Sequence, residues 1–492
     1  MRLISLVSLS IFILVLACSH VLNVSPDIPE PDRPSSVCGI DLYTKISSCY
    51  SKNSQELCYE LPTDFVVNVG FGYPGILSPD FQVIFDNFGW QSFVALNWPA
   101  GEGATPDMKR SITDNLGGDR IWERFFSPHD ILSGSACNNA NYAAKEKILS
   151  ATSKLSTNTT GELDDFLNAA RHPLIDRNNN FVLYEAKVNA EERDYICNNN
   201  LNSLVGQKVY TKNNVIDFPI AADSDGAVEV KAAWRILAEE EMNRFYSRRV
   251  TIVVPAKNTH GKDDMRIPNI PVGLIGMHIV RKVKVFRDTT SKSDRNRVTA
   301  ILPWMWATFE HVDNVPANLN DTQIPENETE YSLYRSECTT CPVTEPALIH
   351  KDSVFKWAKK PPYAIDYTSS VSGSGGEARG LGEKYGSQII RPYGLFITAQ
   401  CLNDKWQKKL AGSVWENYQL ISTQWSAESA DATFGRVDIP SLSGNTSMES
   451  FMLDKANCAS CHASASLKLT EVVEGKTVPI SADNNFILRH AK

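Results

Sequence analysis

Beyond residue 17 the sequence has no apolar run approaching the about 20 residues that a membrane-spanning helix needs, so no transmembrane segment is expected in the body of the chain. It also lacks an excess of positive charge. Lys and Arg number 49 against 57 Asp and Glu, a formal net charge of -8. Recognition of a phosphate backbone needs a concentrated basic face, so nucleic acid is not expected as a partner. No Gly-x-Gly-x-x-Gly follows an apolar strand, and the Gly-rich stretch at 369–380 reads as a loop, so nothing cradles a nucleotide phosphate. Histidine (9) and methionine (8) are scarce, which keeps the list of metal ligands short. What is present is ordinary for a folded protein: 42% hydrophobic and 22% charged residues. The 492 residues allow about two or three domains' worth of structure.

The amino terminus reads as an export signal. Arg2 precedes an apolar stretch that ends in Val15-Leu16-Ala17-Cys18, a sequence that resembles the bacterial lipobox. The expectation is a signal peptide over 1–17, a lipidated Cys18, and a Pro- and Ser-rich linker over 18–37 with Pro26, Pro29, Pro31 and Pro34. Ser19, where a retention Asp would otherwise stand, directs the expectation to the periplasmic side of the outer membrane. A lipid of this kind anchors a protein without spanning the bilayer.

Export alters the reading of the eleven cysteines, because thiols pair and persist in an oxidising compartment. Two near the carboxyl end stand apart: Asn457-Cys458-Ala459-Ser460-Cys461-His462 contains the C-x-x-C-H attachment pattern of c-type haem. Two thiols three positions apart on a helical turn can each form a thioether to one haem vinyl group. The next residue's imidazole then lies against the iron, which makes His462 the expected proximal ligand. Eight cysteines remain after Cys18 and this pair, an even number compatible with four disulfides whose pairing the sequence does not assign. Cys38, Cys49 and Cys58 are expected to staple the amino-terminal region. Cys338 and Cys341 form a second C-x-x-C, but Pro342 stands where a haem motif carries His. A structural disulfide is the first reading there, with a redox pair or half a metal site as alternatives.

Periodicity gives a mixed α+β fold: a large β-rich body over 38–430 and a short helical haem-attachment segment over 431–492. Strands are expected at 180–188, 251–254, 272–285 and 299–312, and the stretch 227–237 passes from alternation into a helix-like continuation. Helices are expected at 119–126, 161–170 and 403–417, the last capped by Asn403. The aromatic run at 80–99 reads as core.

The segments 88–99, 228–234, 276–282, 304–316 and 413–425, together with the terminal C-x-x-C-H, resemble a family of large exported bacterial cytochrome c-like proteins. The resemblance implies one covalent haem c and a shared fold; it names no substrate. Small class I cytochromes place this motif early and take a Met ligand from downstream, whereas here no Met follows His462. Upstream chain must therefore cover the haem. Candidates for the distal ligand or pocket are His490, Met448 and Met452, the two methionines lying too close to Cys458 to wrap easily to the opposite haem face, and His278 or His311 from the body. His278 on a β-branched strand also reads as a hydrogen-bonded core group, and Trp304, Trp306 and Phe309 as packing.

Two functions follow. The first is electron transfer by a membrane-anchored mono-haem cytochrome, exchanging electrons with a redox protein or a small-molecule donor or acceptor. The alternative is a haem-dependent oxidoreductase, peroxidase-like or oxygenase-like, that uses the large body to bind a substrate.

Overall fold

The computed structural model describes residues 57–67, 79–115, 117–138, 147–150, 173–221, 224–256, 263–287, 299–316, 330–335, 343–344, 356–365, 388–428 and 436–492. The signal, Cys18, the linker, Cys38, Cys49, the helix expected at 161–170, the Cys338–Cys341 pair and the loop at 369–380 lie outside them.

The described elements are, in chain order, β1 (Asp64–Val67), α1 (Pro79–Leu96), α2 (Pro128–Leu132), α3 (Ser135–Asn138), β2 (Ile148–Ser150), β3 (Leu183–Val188), α4 (Ala190–Asn198), α5 (Leu204–Tyr210), β4 (Val228–Ile236), β5 (Ser247–Val254), β6 (Met265–Lys282), β7 (Lys284–Arg287), β8 (Thr299–His311), β9 (Lys356–Trp357), β10 (Ala364–Ile365), α6 (Ile397–Lys409), β11 (Tyr418–Glu428), β12 (Arg436–Ile439), α7 (Cys458–His462), β13 (Ser466–Val473) and β14 (Lys476–Ser481). A mixed α+β fold results, built on one 8-stranded sheet in the order β12-β11-β8-β6-β4-β3, with β5 pairing β6 and β2 pairing β5. The carboxyl-terminal segment is not a separate layer at its start, since β12 is an edge strand of this sheet.

The expected strands form with shifted bounds: 251–254 lies in the longer β5, 272–285 runs from β6 into β7, β3 begins only at Leu183 and β8 ends at His311. The stretch 227–237 is one strand, not a strand followed by a helix. Ala232, Ala233 and Trp234 are buried because both faces of the sheet are covered, and a strand buried on both faces loses its alternation. At 119–126 only a 3-10 turn forms, Ile121–Arg124. The helix expected at 403–417 starts instead at Ile397, and Asn403 sits inside it. Its side chain accepts from Trp90 Nε1 at 3.0 Å and Leu420 N at 2.8 Å and donates to Leu420 O at 2.9 Å. A polar residue that reads as a cap is a buried bridge between helix and sheet.

One face of the sheet carries α1 and α6. Phe309 of β8 packs edge-on against Trp90 and stacks on Phe93, with centroids 5.0 and 4.3 Å away, while Trp406 of α6 stacks on Trp90. Helix α1 is buried nearly all round, and the polar side chains Gln82, Asp86, Asn87 and Gln91 are buried with its apolar ones. Gly89 allows its close approach, because a Cβ there would lie 2.3 Å from Thr423 Oγ1. Burial pushes the Asp86 carboxyl up to about 6 despite hydrogen bonds from Thr398, Thr423 N and Gln82.

The opposite face carries the carboxyl-terminal segment. Two rows of cross-strand neighbours point toward it: Lys231, His278, Thr308 and Ser422, and beside them Glu229, Val280, Trp306 and Gln424. Gly276 lets the chain at 443–447 lie directly on β6, since a Cβ would meet Ser447 Oγ at 2.1 Å. Asn445 Nδ2 donates to Phe309 O at 2.7 Å, and Glu310, paired with buried Arg391, accepts from Thr446 N at 3.0 Å.

Candidate functional site at the carboxyl-terminal turn

The site begins with the backbone of residues 457–462. Asn457 caps α7, its side chain accepting from Ser460 N at 2.8 Å, and Ala459 N donates to Gln424 Oε1 of β11 at 2.8 Å. The short helix is thereby fastened to the sheet, and both cysteines and His462 lie on its single turn. Cys458 is half-buried and Cys461 exposed, and both are unpaired. The other described cysteines are all in disulfides: Cys137 with Cys197, joining α3 to α4, and Cys58 and Cys401 in bridges of their own. Burial pushes both motif thiols up from their ordinary range, and the Glu449 carboxylate pushes them the same way. They are not activated thiolates: the short turn that Cys458 opens and the nearby Lys231 do not offset their burial.

His462 is held from its back. Nδ1 lies 2.7 Å from the carbonyl oxygen of Asn484, which can only accept, so Nδ1 carries the proton and the Nε2 lone pair is left open. The ring lies against Trp306 and edge-on to Phe486, with centroids 5.6 and 5.2 Å apart. Burial pushes the imidazole down to about 4, so it is neutral at pH 7.

The loop that supplies this carbonyl is built for it. Asp483 and Asn484 have φ of 52° and 62°, consecutive left-handed positions that Asp and Asn tolerate better than most residues. Asp483 accepts from Trp304 Nε1 at 3.1 Å, Phe218 N at 2.8 Å and Lys282 Nζ at 2.7 Å. Asn485 Nδ2 donates to Glu192 Oε1 of α4 at 2.7 Å and Glu229 Oε1 of β4 at 2.9 Å. Burial, with the negative charge of neighbouring carboxylates, pushes both glutamates well above the usual range.

Beside the turn, on the sheet face, lie Lys231, His278 and Glu449. His278 Nε2 is 3.3 Å from Glu449 Oε2. Burial alone would raise Glu449, but His278 and Lys231 hold its carboxyl below the usual range, and burial lowers Lys231. In the same region Trp306 Nε1 and Thr308 Oγ1 are buried with no hydrogen-bond partner.

The structure thus brings Cys458, Cys461, His462 and His278 to one place, while His311 and Met448 pack elsewhere. His311 lies on the opposite sheet face, stacked on Phe245 at 4.0 Å. Its Nε2 donates to Arg244 O at 3.2 Å and its Nδ1 accepts from Asp313 N at 3.1 Å, so both nitrogens are used. Met448 is buried in a cluster with Ile275, Phe245 and Leu453. Met452 precedes the 3-10 turn Leu453–Lys455. His490 is buried in the last 3-10 turn, Ile487–His490, which packs on β13 and is tied to α5 by Gln207 Nε2 donating to Leu488 O at 2.8 Å. Among the described residues no group of three or more His, Cys, Asp and Glu is arranged to hold a metal ion.

Sequence reasoning missed Lys231, Glu229, Glu449 and the 483–485 loop. Glu229 and Lys231 alternate with Val228 and Val230, which reads as a solvent face; here that polar face is roofed by the carboxyl-terminal segment. The Asp483-Asn484 pair was the one local signal available, as a dipeptide suited to left-handed backbone. Comparison of the chain with protein-family models, curated proteins and solved structures finds no match.

Proposed function

We propose that the chain is an exported c-type cytochrome that carries one haem on Cys458 and Cys461, with His462 as proximal ligand, and transfers single electrons. The carrying observation is the selective reservation of two thiols: among the described residues the motif pair alone is unpaired in a chain whose other described cysteines are bridged. The residues fit the group. A ligating histidine needs its other nitrogen fixed by a second hydrogen bond, and the Asn484 carbonyl does this. The unpartnered donors Trp306 Nε1 and Thr308 Oγ1 suit an acceptor-bearing ligand, because a buried donor left unpaired costs about 1–3 kcal/mol. A raised pKa on both thiols disfavours the competing reading of a thiol–disulfide redox pair. A bound haem would supply a one-electron iron couple; the chain supplies attachment, a neutral proximal imidazole and a sheet that covers one side. Lipidated Cys18 would tether this body to the outer membrane, within reach of a redox protein or a small-molecule donor or acceptor.

The test is the visible spectrum of the purified mature protein, oxidised and reduced, with and without carbon monoxide. One covalent haem per chain is the expected result, and its absence from correctly exported protein overturns the reading. Refusal of carbon monoxide supports electron transfer.

One observation favours the second reading, a haem-dependent oxidoreductase. The Lys231–His278–Glu449 cluster places a carboxylate-held imidazole beside the attachment turn, where a distal group would stand. The His278→Ala variant is expected to keep its covalent haem while its spin state and carbon monoxide response change. An unaltered spectrum in that variant removes His278 from the distal side.

A further inference from the structure

We propose that Asn485 is a positioning residue that joins the proximal histidine to the buried Glu192–Glu229 carboxyl pair, and that this pair takes up a proton when the site gains an electron. The inference rests on the proposed haem site and extends it to proton-coupled electron transfer.

The geometry is continuous. His462 Nδ1 donates to the carbonyl of Asn484, and the next residue's side chain spans the two glutamates, its two amide hydrogens answering Oε1 of each. Asn485 is itself fully buried, and its Oδ1 accepts from Ile487 N at 2.7 Å. A shift in the charge of the pair therefore acts on the segment that presents the carbonyl. The two left-handed residues before Asn485 leave that segment little freedom to relax independently.

Among the described residues the pair has no structural counter-charge. Neither glutamate is in an ion pair with a basic side chain among the described residues, and Glu192 Oε2 is buried without a partner. The facing charges work the other way. Asp483 adds negative charge to both and is itself neutralised by Lys282 of β6. Arg193, next to Glu192 on α4, is turned away to Asp194 and the Ala136 carbonyl. Lys231, two residues along β4 from Glu229, interacts with Glu449 instead. An ionised carboxylate buried in this way is costly, and two together are costlier, so protons are retained. Burial with Asp483 nearby pushes Glu229 up to about 8, where it titrates near neutral pH.

The balance is one electron from an external one-electron donor, a reduced redox protein or small molecule, and one proton from water. The electron adds a negative charge near His462, and a carboxylate of the pair becomes a neutral acid, so the net charge of the buried region is unchanged. At low pH the pair is already neutral and reduction is easier. As pH rises and the pair ionises, its negative charge favours the oxidised state, and the potential falls.

The experiment is a spectroelectrochemical titration of the full-length haem-loaded protein from about pH 5 to about pH 10, with infrared detection of the protonated carboxyl stretch. Wild type is expected to show a potential that falls with pH at close to one proton per electron, and a carboxylic-acid band that grows on reduction. Glu229→Gln and the Glu192→Gln/Glu229→Gln double variant keep the acceptor oxygens for Asn485 and are expected to flatten the slope and remove the band. Asn485→Ala is expected to alter the pH slope and the ligand-field signature of His462 together, while Asn485→Gln, which keeps the donating amide, serves as its conservative partner and retains more of both. A haem-bearing protein with the same pH slope in Glu229→Gln as in wild type overturns this inference alone. A chain with no covalent haem overturns it together with the proposed function.

Discussion

Replacing Cys458 and Cys461 together by alanine is expected to give a folded, exported chain from which the covalent haem is wholly absent. The argument is local. Neither thiol belongs to a disulfide; Cys458 packs against the cluster beneath the turn, where alanine still fits, and its polar contact is a 3.9 Å one from its sulfur to the Ser443 carbonyl. The α7 turn is held instead by Asn457 and by Gln424, neither of which the double variant alters. The sheet and the Cys137–Cys197 bridge should therefore survive, and loss of the pigment would report attachment and not collapse. The readout is the absorbance of purified protein after acid–acetone extraction, together with intact mass. A double variant that retains covalent haem removes both residues from the attachment role. Single variants should each leave at most one thioether, with an altered band position.

The second large effect is expected far from this turn, at Glu123. This carboxylate is buried at the start of the sheet's helix-covered side and accepts from Arg248, Tyr246 Oη and Lys147 Nζ, and from Arg120 N at 2.7 Å. Arg248 in turn pairs with Glu185 and lies 4.1 Å over the Trp234 ring. Glu123→Ala leaves a buried guanidinium with a single carboxylate and a buried phenol unpaired, and breaking one partner of a buried pair costs about 3–5 kcal/mol. Denaturant unfolding at pH 7 should register that loss, with Glu123→Gln losing less because it keeps an acceptor for Tyr246 and Arg120 N. A loss under about 1 kcal/mol in the alanine variant would show the network to be dispensable.

The pH dependence has a definite sign. Burial alone would raise Glu123, but Arg248, Lys147 and the hydrogen bonds outweigh it and hold the carboxyl down to about 2. A group whose folded-state pKa is depressed adds stability above its unfolded value, near 4.5, and loses it as pH falls toward the folded value. The contribution is roughly 3 kcal/mol at neutral pH. It should fade between these two values, and the acid limb of the stability curve should be shallower in Glu123→Gln than in wild type.

Much of this molecule is legible in the order of its residues. The C-x-x-C-H spacing fixes two thiols and an imidazole on one helical turn, because the geometry depends only on residues three and four apart. The stretches at 251–254, 272–285 and 299–312, β-branched though the last two alternate less cleanly, form strands for the same local reason. Where local pattern met a covered surface it misled. The 227–237 stretch lost its alternation because α1 and the carboxyl-terminal segment bury both faces, and Asn403 looked like a helix cap because its partners, Trp90 and Leu420, are remote or across a turn.

What tertiary structure alone decided is which distant side chains share the C-x-x-C-H turn. His278 and His311 both sit on strands of one sheet, yet β6 turns His278 toward Glu449 and His462 and β8 turns His311 to the opposite face, where both its nitrogens are satisfied. That outcome depends on the parity of each residue within its strand and on which layer packs against which face. Likewise, Glu192, Glu229 and Asn485 are brought together from residues separated by up to 293 positions. The sequence determined the C-x-x-C-H turn because its geometry is local; the Glu192–Asn485–Glu229 bridge behind it is a product of packing, since only the folded chain brings these residues together and buries them.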